Sequence, residues 1–158
     1  MSKICCFTGS RDLRGLSSSK ICKKLEDLLV DLIENEGYTV FRAGGALGFD
    51  TLAALCVLHL KKKYPEIQLH LILPSKDQDK YFSAQEKLYY ELTLKHADKI
   101  TYIQDAYSDG VMMKRNRALV NGSDICLALL RKNSGGTYLT TQYAIKQRVK
   151  VVNLMTSL

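Results

Sequence analysis

Short apolar or β-branched runs alternate along this chain with longer segments in which apolar residues recur at helical spacing, and glycine or proline stands near many of the junctions. This alternation is typical of a parallel sheet whose strands are joined by helices. The predicted strands lie at 3–8, 39–42, 68–73, 99–103, 124–130 and 150–154. The predicted helices lie at 18–36, 50–63, 83–96, 109–120 and 137–147. Because right-handed crossovers place helices on both faces of such a sheet, we predict an α/β fold, a Rossmann-like three-layer α/β/α sandwich with a mainly parallel sheet.

The size and charge of the chain limit what it can be. Its 158 residues suit one ordinary domain, so we predict a single domain over residues 1–158. A hydrophobic share of 46% with 25% charged residues fits a folded domain and argues against a disordered chain. The 23 basic and 16 acidic residues give a net charge of +7, which favours phosphates, nucleic acid or other anionic partners.

The cysteine and histidine residues indicate the compartment and argue against a metal site. Five cysteines without a CxxC pair, four of them inside apolar runs, are typical of buried thiols in a reducing compartment. No run approaches the roughly 20 apolar residues of a membrane span, so we expect a cytoplasmic protein without a membrane partner. His59, His70 and His96 lack metal-ligand spacing, and we expect no metal.

Three predicted strand ends are rich in glycine and small hydroxyl residues, at 8–11, 44–50 and 134–137. Ligands of open parallel sheets bind beyond the carboxyl ends of the strands, and glycine lets a backbone approach them closely. The last two loops run into predicted helices, whose N-terminal amides favour anions. One glycine loop alone is also a common structural turn, but three at one sheet edge predict a nucleotide-like phosphate site. Its predicted residues are Gly9, Ser10, Arg11, Gly44, Gly45, Gly48, Ser134, Gly135, Gly136 and Thr137.

Charged residues near these loops extend the predicted site. Asp50 fits either an N-terminal cap of its helix or a ligand contact, and the sequence leaves both interpretations open. Arg115 and Arg117 are candidate partners for phosphates, and Asn116 for a base or a ribose hydroxyl. Helical period alone does not fix which of them points at the crevice.

Familiar catalytic motifs are missing from the sequence. No Gly-Lys-Ser/Thr follows a glycine loop, and no G-x-G-x-x-G follows the first predicted strand, which disfavours P-loop hydrolysis and a standard NAD dehydrogenase. There is no G-x-S-x-G elbow either. We therefore predict no catalytic residue.

Four segments, in this order, carry a family resemblance: TGSR, GGALGFDTLAA, MMKRNRALVNGSD and SGGTYLTTQYA. Together they resemble the YpsA-like branch of the SLOG superfamily, which also contains the molybdenum cofactor carrier and Lonely Guy proteins. The resemblance implies a Rossmann-like fold, a site for nucleotides or nucleotide-derived ligands, and assembly into oligomers.

Two relatives within this superfamily supply alternatives. Lonely Guy enzymes hydrolyse an N-glycosidic bond, and their arginine matches Arg115, but Leu139 and Thr140 stand where their glutamates would be. A nucleotide N-glycosidase with a nonstandard acid is therefore one alternative. A DprA-like protein that binds single-stranded DNA through a basic pocket is another, although the tyrosines cluster at 81–90 and are not interleaved with the basic residues.

The sequence thus predicts a nucleotide-binding protein that acts as a sensor or carrier. The expected ligand is a nucleotide or an ADP-ribose derivative, and nucleic acid is the alternative partner. A homo-oligomer is expected, with Leu88, Tyr89 and Leu92 of the third predicted helix as a candidate interface.

Overall fold

The computed structural model describes residues 2–158 and has the predicted order of six strands and five α-helices. The strands are β1 (Lys3–Gly9), β2 (Tyr38–Ala43), β3 (Gln68–Leu73), β4 (Lys99–Tyr102), β5 (Ile125–Leu129) and β6 (Lys150–Asn153). The helices are α1 (Ser18–Glu36), α2 (Phe49–Lys61), α3 (Ala84–His96), α4 (Val111–Val120) and α5 (Gly135–Lys146). A short 3-10 helix, Leu154–Ser157, follows the last strand.

The six strands form one sheet in the order β4-β3-β2-β1-β5-β6, and every pair is parallel. The chain first steps outward from β1 to β4, then returns to the other side of β1. Right-handed crossovers therefore place α1, α2 and α3 on one face, and α4 and α5 on the other. The predicted α/β/α fold is confirmed, and the order of strands reverses direction between β1 and β5.

The core next to this reversal contains three packed phenylalanine rings. Phe7 of β1 stacks with Phe41 of β2 and meets Phe49 of α2 edge-on, with ring centroids 6.4 Å and 6.3 Å apart. Gly9 makes the packing of α2 possible, because an added Cβ there would lie 2.4 Å from the Phe49 ring. The start of α2 is thus pressed onto the end of β1.

The last strand is one residue shorter than predicted because a side chain ends it. Asn153 Oδ1 accepts hydrogen bonds from the amides of Leu130 and Met155, both at 3.1 Å. It thereby ties the end of β6 to β5 and begins the 3-10 helix, where the sequence predicts strand to residue 154.

The cysteines are unpaired and mostly shielded from solvent. All five thiols are free, with Cys5, Cys6 and Cys126 buried and Cys22 and Cys56 half-buried. Among residues 2–158, no helix has both the length and the apolar character needed to cross a bilayer.

Helix α3 leaves apolar side chains in solvent. Leu88, Tyr89 and Leu92 are all exposed. This is the surface at which the sequence predicts a contact between copies of the chain, and that contact stays a prediction.

Gly48 joins the loop after β2 to the loop after β1, and we expect its replacement to be unusually costly. Gly48 and Gly37 both have a φ of 75°. A Cβ added at Gly48 would lie 2.5 Å from the Arg11 carbonyl oxygen, whereas a Cβ added at Gly37 would meet nothing within 4 Å. Gly37→Ala should lose about 1 kcal/mol of unfolding free energy from backbone strain alone. Gly48→Ala should lose roughly 3 kcal/mol or more, because the ψ of −123° at Gly48 lies outside the left-handed helical region of Gly37 (ψ 24°) and a backbone clash is added to that strain. Urea denaturation of both variants measures the difference, and equal losses would contradict this packing.

Candidate functional site

A large open cleft lies at the carboxyl ends of β1 and β5, where the strand order reverses. Its volume is about 1180 Å³, and its walls come from the loops after both strands, from α4 and from the start of α5. Parallel sheets bind their ligands at such a point. The predicted site residues in its lining are Gly9, Ser10, Arg11, Asp50, Arg115, Asn116, Ser134, Gly135, Gly136 and Thr137. The structure does not bring Gly44, Gly45, Gly48 or Arg117 to this lining.

Basic side chains outnumber acidic ones around the cleft. The basic residues are Arg11, Arg14, Arg115, Arg131 and Lys132, and the acidic residues are Asp12 and Asp50. Arg14 pairs with Asp12 at 2.7 Å, and its hydrogen bonds lower the pKa of that carboxyl. Arg11 and Lys132 are exposed and form no ion pair within residues 2–158. These two cations are therefore available to an anionic ligand.

Helix α5 opens directly into the cleft through Ser134, Gly135 and Gly136, all of which are exposed. Ser134 is the N-cap residue, but its side chain makes no capping hydrogen bond. At Gly136 an added Cβ would meet nothing closer than Asn116 Nδ2 at 3.9 Å, so the backbone is open on this side. Uncapped first-turn amides and the positive end of the helix dipole suit an oxyanion.

The loop after β2 is held from within the protein. Arg115 Nη1 donates a hydrogen bond to the Gly44 carbonyl, and the Ala46 amide donates to Asp50 Oδ2 at 3.3 Å. Arg115 and Asp50 are only 3% and 4% exposed. Asp50 therefore braces the loop, and the N-cap of α2 is Gly48 instead. The Ala46 amide is not free for a ligand.

The first loop offers a side chain to the cleft where the sequence predicts backbone amides. The Ser10 amide donates to the Leu129 carbonyl at 3.1 Å, which extends the pairing of β1 with β5. The Ser10 hydroxyl donates to the Asp12 carbonyl at 2.8 Å and so stabilises the turn. Arg11 is the charged group that this loop leaves available.

The buried charges influence each other. Burial raises the pKa of the Asp50 carboxyl, and the nearby Arg115 guanidinium opposes part of that rise. Burial also lowers the pKa of Arg115, and Asp50 opposes that fall. Each side chain thus reduces the cost of burying the other's charge.

Close packing explains why the remaining predicted residues lie outside the cleft. An added Cβ at Gly45 would lie 2.5 Å from Leu73, so this glycine serves close approach of the loop to β3. Gly44 is packed in the same way against Arg115 and Asp50. The Arg117 guanidinium lies 5.5 Å from the centroid of the Tyr143 ring. This contact holds Arg117 against α5.

Several lining residues are absent from the sequence-based prediction. Arg131 and Lys132 directly follow β5, and Arg131 Nη1 donates to the Asp12 carbonyl at 2.7 Å, bridging the two loops. Met112 and Met113 add apolar surface from α4. The sequence feature that could have identified this basic pair is its position just after the predicted fifth strand, where ligands of parallel sheets bind.

Leu139 and Thr140, which stand where Lonely Guy enzymes have glutamates, supply no acid group to the cleft. Leu139 lines the cleft with an apolar side chain, and the buried Thr140 donates its hydroxyl to the Gly136 carbonyl at 2.8 Å. In the part of the chain that the structure describes, no three His, Cys, Asp or Glu side chains form a group able to hold a metal ion.

Solved structures of DNA processing protein A share this fold. The protein from Helicobacter pylori, which has a described single-stranded DNA binding mode, superposes with a TM-score of 0.67 at 20% identity. The match covers 94% of this chain and 63% of that one, so this chain spans less than two thirds of its structural neighbour.

Proteins related by sequence share a higher identity with this chain than these solved structures do. The uncharacterized SPbeta prophage-derived protein YoqJ of Bacillus subtilis is 34% identical over 139 residues, which cover 80% of this chain and 81% of YoqJ. A UPF0398 protein of Brevibacillus brevis is 30% identical over 130 residues, which cover 80% of this chain and 69% of that protein. The YpsA family model, that of the YspA SLOG family, matches residues 14–156. The predicted family resemblance is confirmed: the chain belongs to the YpsA family of SLOG proteins.

Proposed function

We propose that this protein binds a nucleotide or nucleotide-derived anion in the cleft between β1 and β5, and acts as a sensor or carrier of that ligand. The observation that carries the proposal is the uncapped N-terminus of α5, which opens into the cleft that Arg11 and Lys132 also line. Free amides, a helix dipole and unpaired cations together favour phosphate groups.

The size and the mixed lining of the cleft support a ligand larger than phosphate alone. Pockets for small organic ligands have volumes of about 300–1,000 Å³, and this cleft is slightly larger at about 1180 Å³. Met112, Leu130 and Leu139 supply apolar surface next to the cations. A ligand with phosphates and less polar rings, such as a nucleotide or an ADP-ribose derivative, fits this combination.

Hydrolysis of the ligand is not part of the proposal. Besides the ion-paired Asp12, the cleft carboxyl is Asp50, which is buried and accepts a hydrogen bond from the Ala46 amide. An N-glycosidase would have to free Asp50 from the loop that it braces.

Gly136→Asp tests the role of the α5 N-terminus. A carboxylate in the first turn favours the helix dipole, so we expect thermal stability to be unchanged or raised by up to about 1 kcal/mol. The same carboxylate would repel a bound phosphate, since two like charges 4 Å apart near a protein surface interact by about 4 kcal/mol. We therefore expect at least a tenfold loss of affinity for nucleotides, ADP-ribose and pyrophosphate in isothermal titration.

Gly136→Ala is the matched control, because it adds a Cβ in open space without charge. Its affinity should stay well above that of Gly136→Asp, because both variants add a Cβ and only the aspartate adds a negative charge. Absence of binding to the wild type over this ligand panel, or undiminished binding by a folded Gly136→Asp variant, would refute the proposal.

Binding of single-stranded DNA is a second candidate function. The fold matches that of DNA processing protein A from Helicobacter pylori, and the same cleft is basic. Exposed Arg11 and Lys132 would contact successive phosphates of a strand as readily as those of a nucleotide.

Salt dependence distinguishes contacts in the cleft from diffuse attraction to a basic protein. Each phosphate contact with a single strand contributes about −0.7 to the slope of log K against log salt concentration. If DNA lies in the cleft, Lys132→Ala should make the slope shallower by about 0.7, whereas Lys95→Ala on α3 should leave it unchanged. Fluorescence anisotropy with a labelled oligonucleotide measures both slopes. Equal slopes for the two variants, or no binding at low salt, would remove this candidate.

A further inference from the structure

A smaller cavity opens beside the cleft, beyond the ends of β2 and β3, with a volume of about 420 Å³. We infer that this side cavity receives the base of a nucleotide whose phosphates lie in the cleft, and that it selects bases that carry an exocyclic amino group. The inference rests on the proposed function, because it requires the phosphates of the ligand to lie in the cleft.

The two cavities are continuous. Arg11, Ala46 and Met112 belong to the walls of both. A ligand that passes from one cavity to the other therefore crosses beside the Arg11 guanidinium, which suits a phosphate at the junction. One side of that junction leads to the basic cleft, and the other leads to the side cavity.

Aromatic rings form the outer walls of the side cavity. Tyr81 and Tyr107 line it while 88% and 61% exposed, and Phe82 lines it half-buried. Exposed aromatic rings next to a phosphate site are suited to stacking with a base, because every base presents a π-face. Lys80 Nζ lies 5.4 Å from the centroid of the Tyr81 ring, and Lys80 also lines the cavity.

The floor of the side cavity is tied to the core before any ligand binds. Phe82 packs edge-on against the buried Tyr90, with centroids 5.5 Å apart. The Tyr90 hydroxyl donates to Gln78 Oε1 at 3.3 Å, and Gln78 Nε2 donates to the Gly44 carbonyl at 3.4 Å. These contacts connect the floor to the loop that Arg115 braces. The floor is therefore already ordered, and a ligand would lose little binding free energy in ordering it.

One exposed carboxylate in the lining, that of Asp77, can recognise the edge of a base. The nearby Ser75 hydroxyl is fully buried, so it is not accessible to a ligand, and it lowers the pKa of the Asp77 carboxyl. Asp77 Oδ1 accepts from the Tyr107 amide at 3.1 Å. Asp77 Oδ2 is left to accept from an N–H donor. The Asp77 carboxylate can accept from an exocyclic amino group, which orients the ligand with its base in this cavity.

Titration calorimetry on the full chain with ribose 5-phosphate, AMP, GMP and IMP tests the inference. We expect AMP and GMP to bind at least tenfold more tightly than ribose 5-phosphate. Replacing both Tyr81→Ala and Tyr107→Ala should remove most of that difference and leave the affinity for ribose 5-phosphate unchanged. Tyr89→Ala is the matched control, because this exposed tyrosine lies on α3 and lines neither cavity.

Asp77→Asn tests the selection of the base. The wild type should bind GMP severalfold more tightly than IMP, which lacks only the amino group, and the variant should bind the two equally. The asparagine oxygen can still accept from the Tyr107 amide, so the loop should keep its fold.

The outcomes separate this inference from the proposed function. If ribose 5-phosphate binds as tightly as AMP and GMP, the phosphate site stands and the side cavity is not a base site. Base-dependent affinity that persists in the double tyrosine variant, or a preference for GMP that persists in Asp77→Asn, also overturns the inference. If the wild type binds none of the four ligands, this inference falls, and titration with ADP-ribose and pyrophosphate decides whether the proposed function falls with it.

Discussion

The site depends on one buried arrangement, in which Arg115 reaches from α4 to the Gly44 carbonyl while Asp50 accepts from the Ala46 amide. A buried charge is costly unless it is compensated. Arg115 and Asp50 form no ion pair within 4 Å, but the attraction between their charges opposes the pKa shift that burial causes in each. Here each charge compensates the other, and together they fix the loop between β2 and α2. This loop also touches the loop after β1, because the Phe49 amide donates to the Ser10 carbonyl at 3.1 Å. The position of Arg11 therefore follows from how Arg115 and Asp50 are buried.

This arrangement divides the three glycine loops into two kinds. In the loops after β1 and β2, the glycines allow close approach to Phe49, to Leu73, to Arg115 and to the backbone at Arg11. In the loop before α5, Gly135 and Gly136 are exposed and have open space around them. The first kind uses the missing Cβ for packing, and the second leaves the backbone accessible. Only the second has the form of an anion site, and it gains its cations from Arg11 and Lys132.

The sequence predicts the order and type of the elements because strand and helix periods are local properties of the chain. It also places ten of the predicted residues at one rim, since the carboxyl ends of parallel strands meet there. It could not separate Gly45 from Gly136, because glycines used for packing and for ligand access look the same without neighbours. It could not orient Arg115 and Arg117, which are two residues apart on one helix, although one is buried and the other stacks on Tyr143. Lys132 was missed because a charge after a strand resembles ordinary solvated surface, and its importance depends on β5 lying beside β1.

The shape of the site bears on the choice between a nucleotide and a DNA strand. Proteins that bind single strands without sequence preference use a basic groove along which successive bases stack. Here the exposed rings Tyr81 and Tyr107 are gathered in one side cavity, and Asp77 stands in the same wall. Lys80 lies near that carboxylate in the same lining, so charge alone does not decide between the two ligands, but rings gathered in one cavity suit a single terminal base. The arrangement therefore favours a discrete ligand with one base over a continuous strand, even though the cations of the cleft attract the phosphates of both.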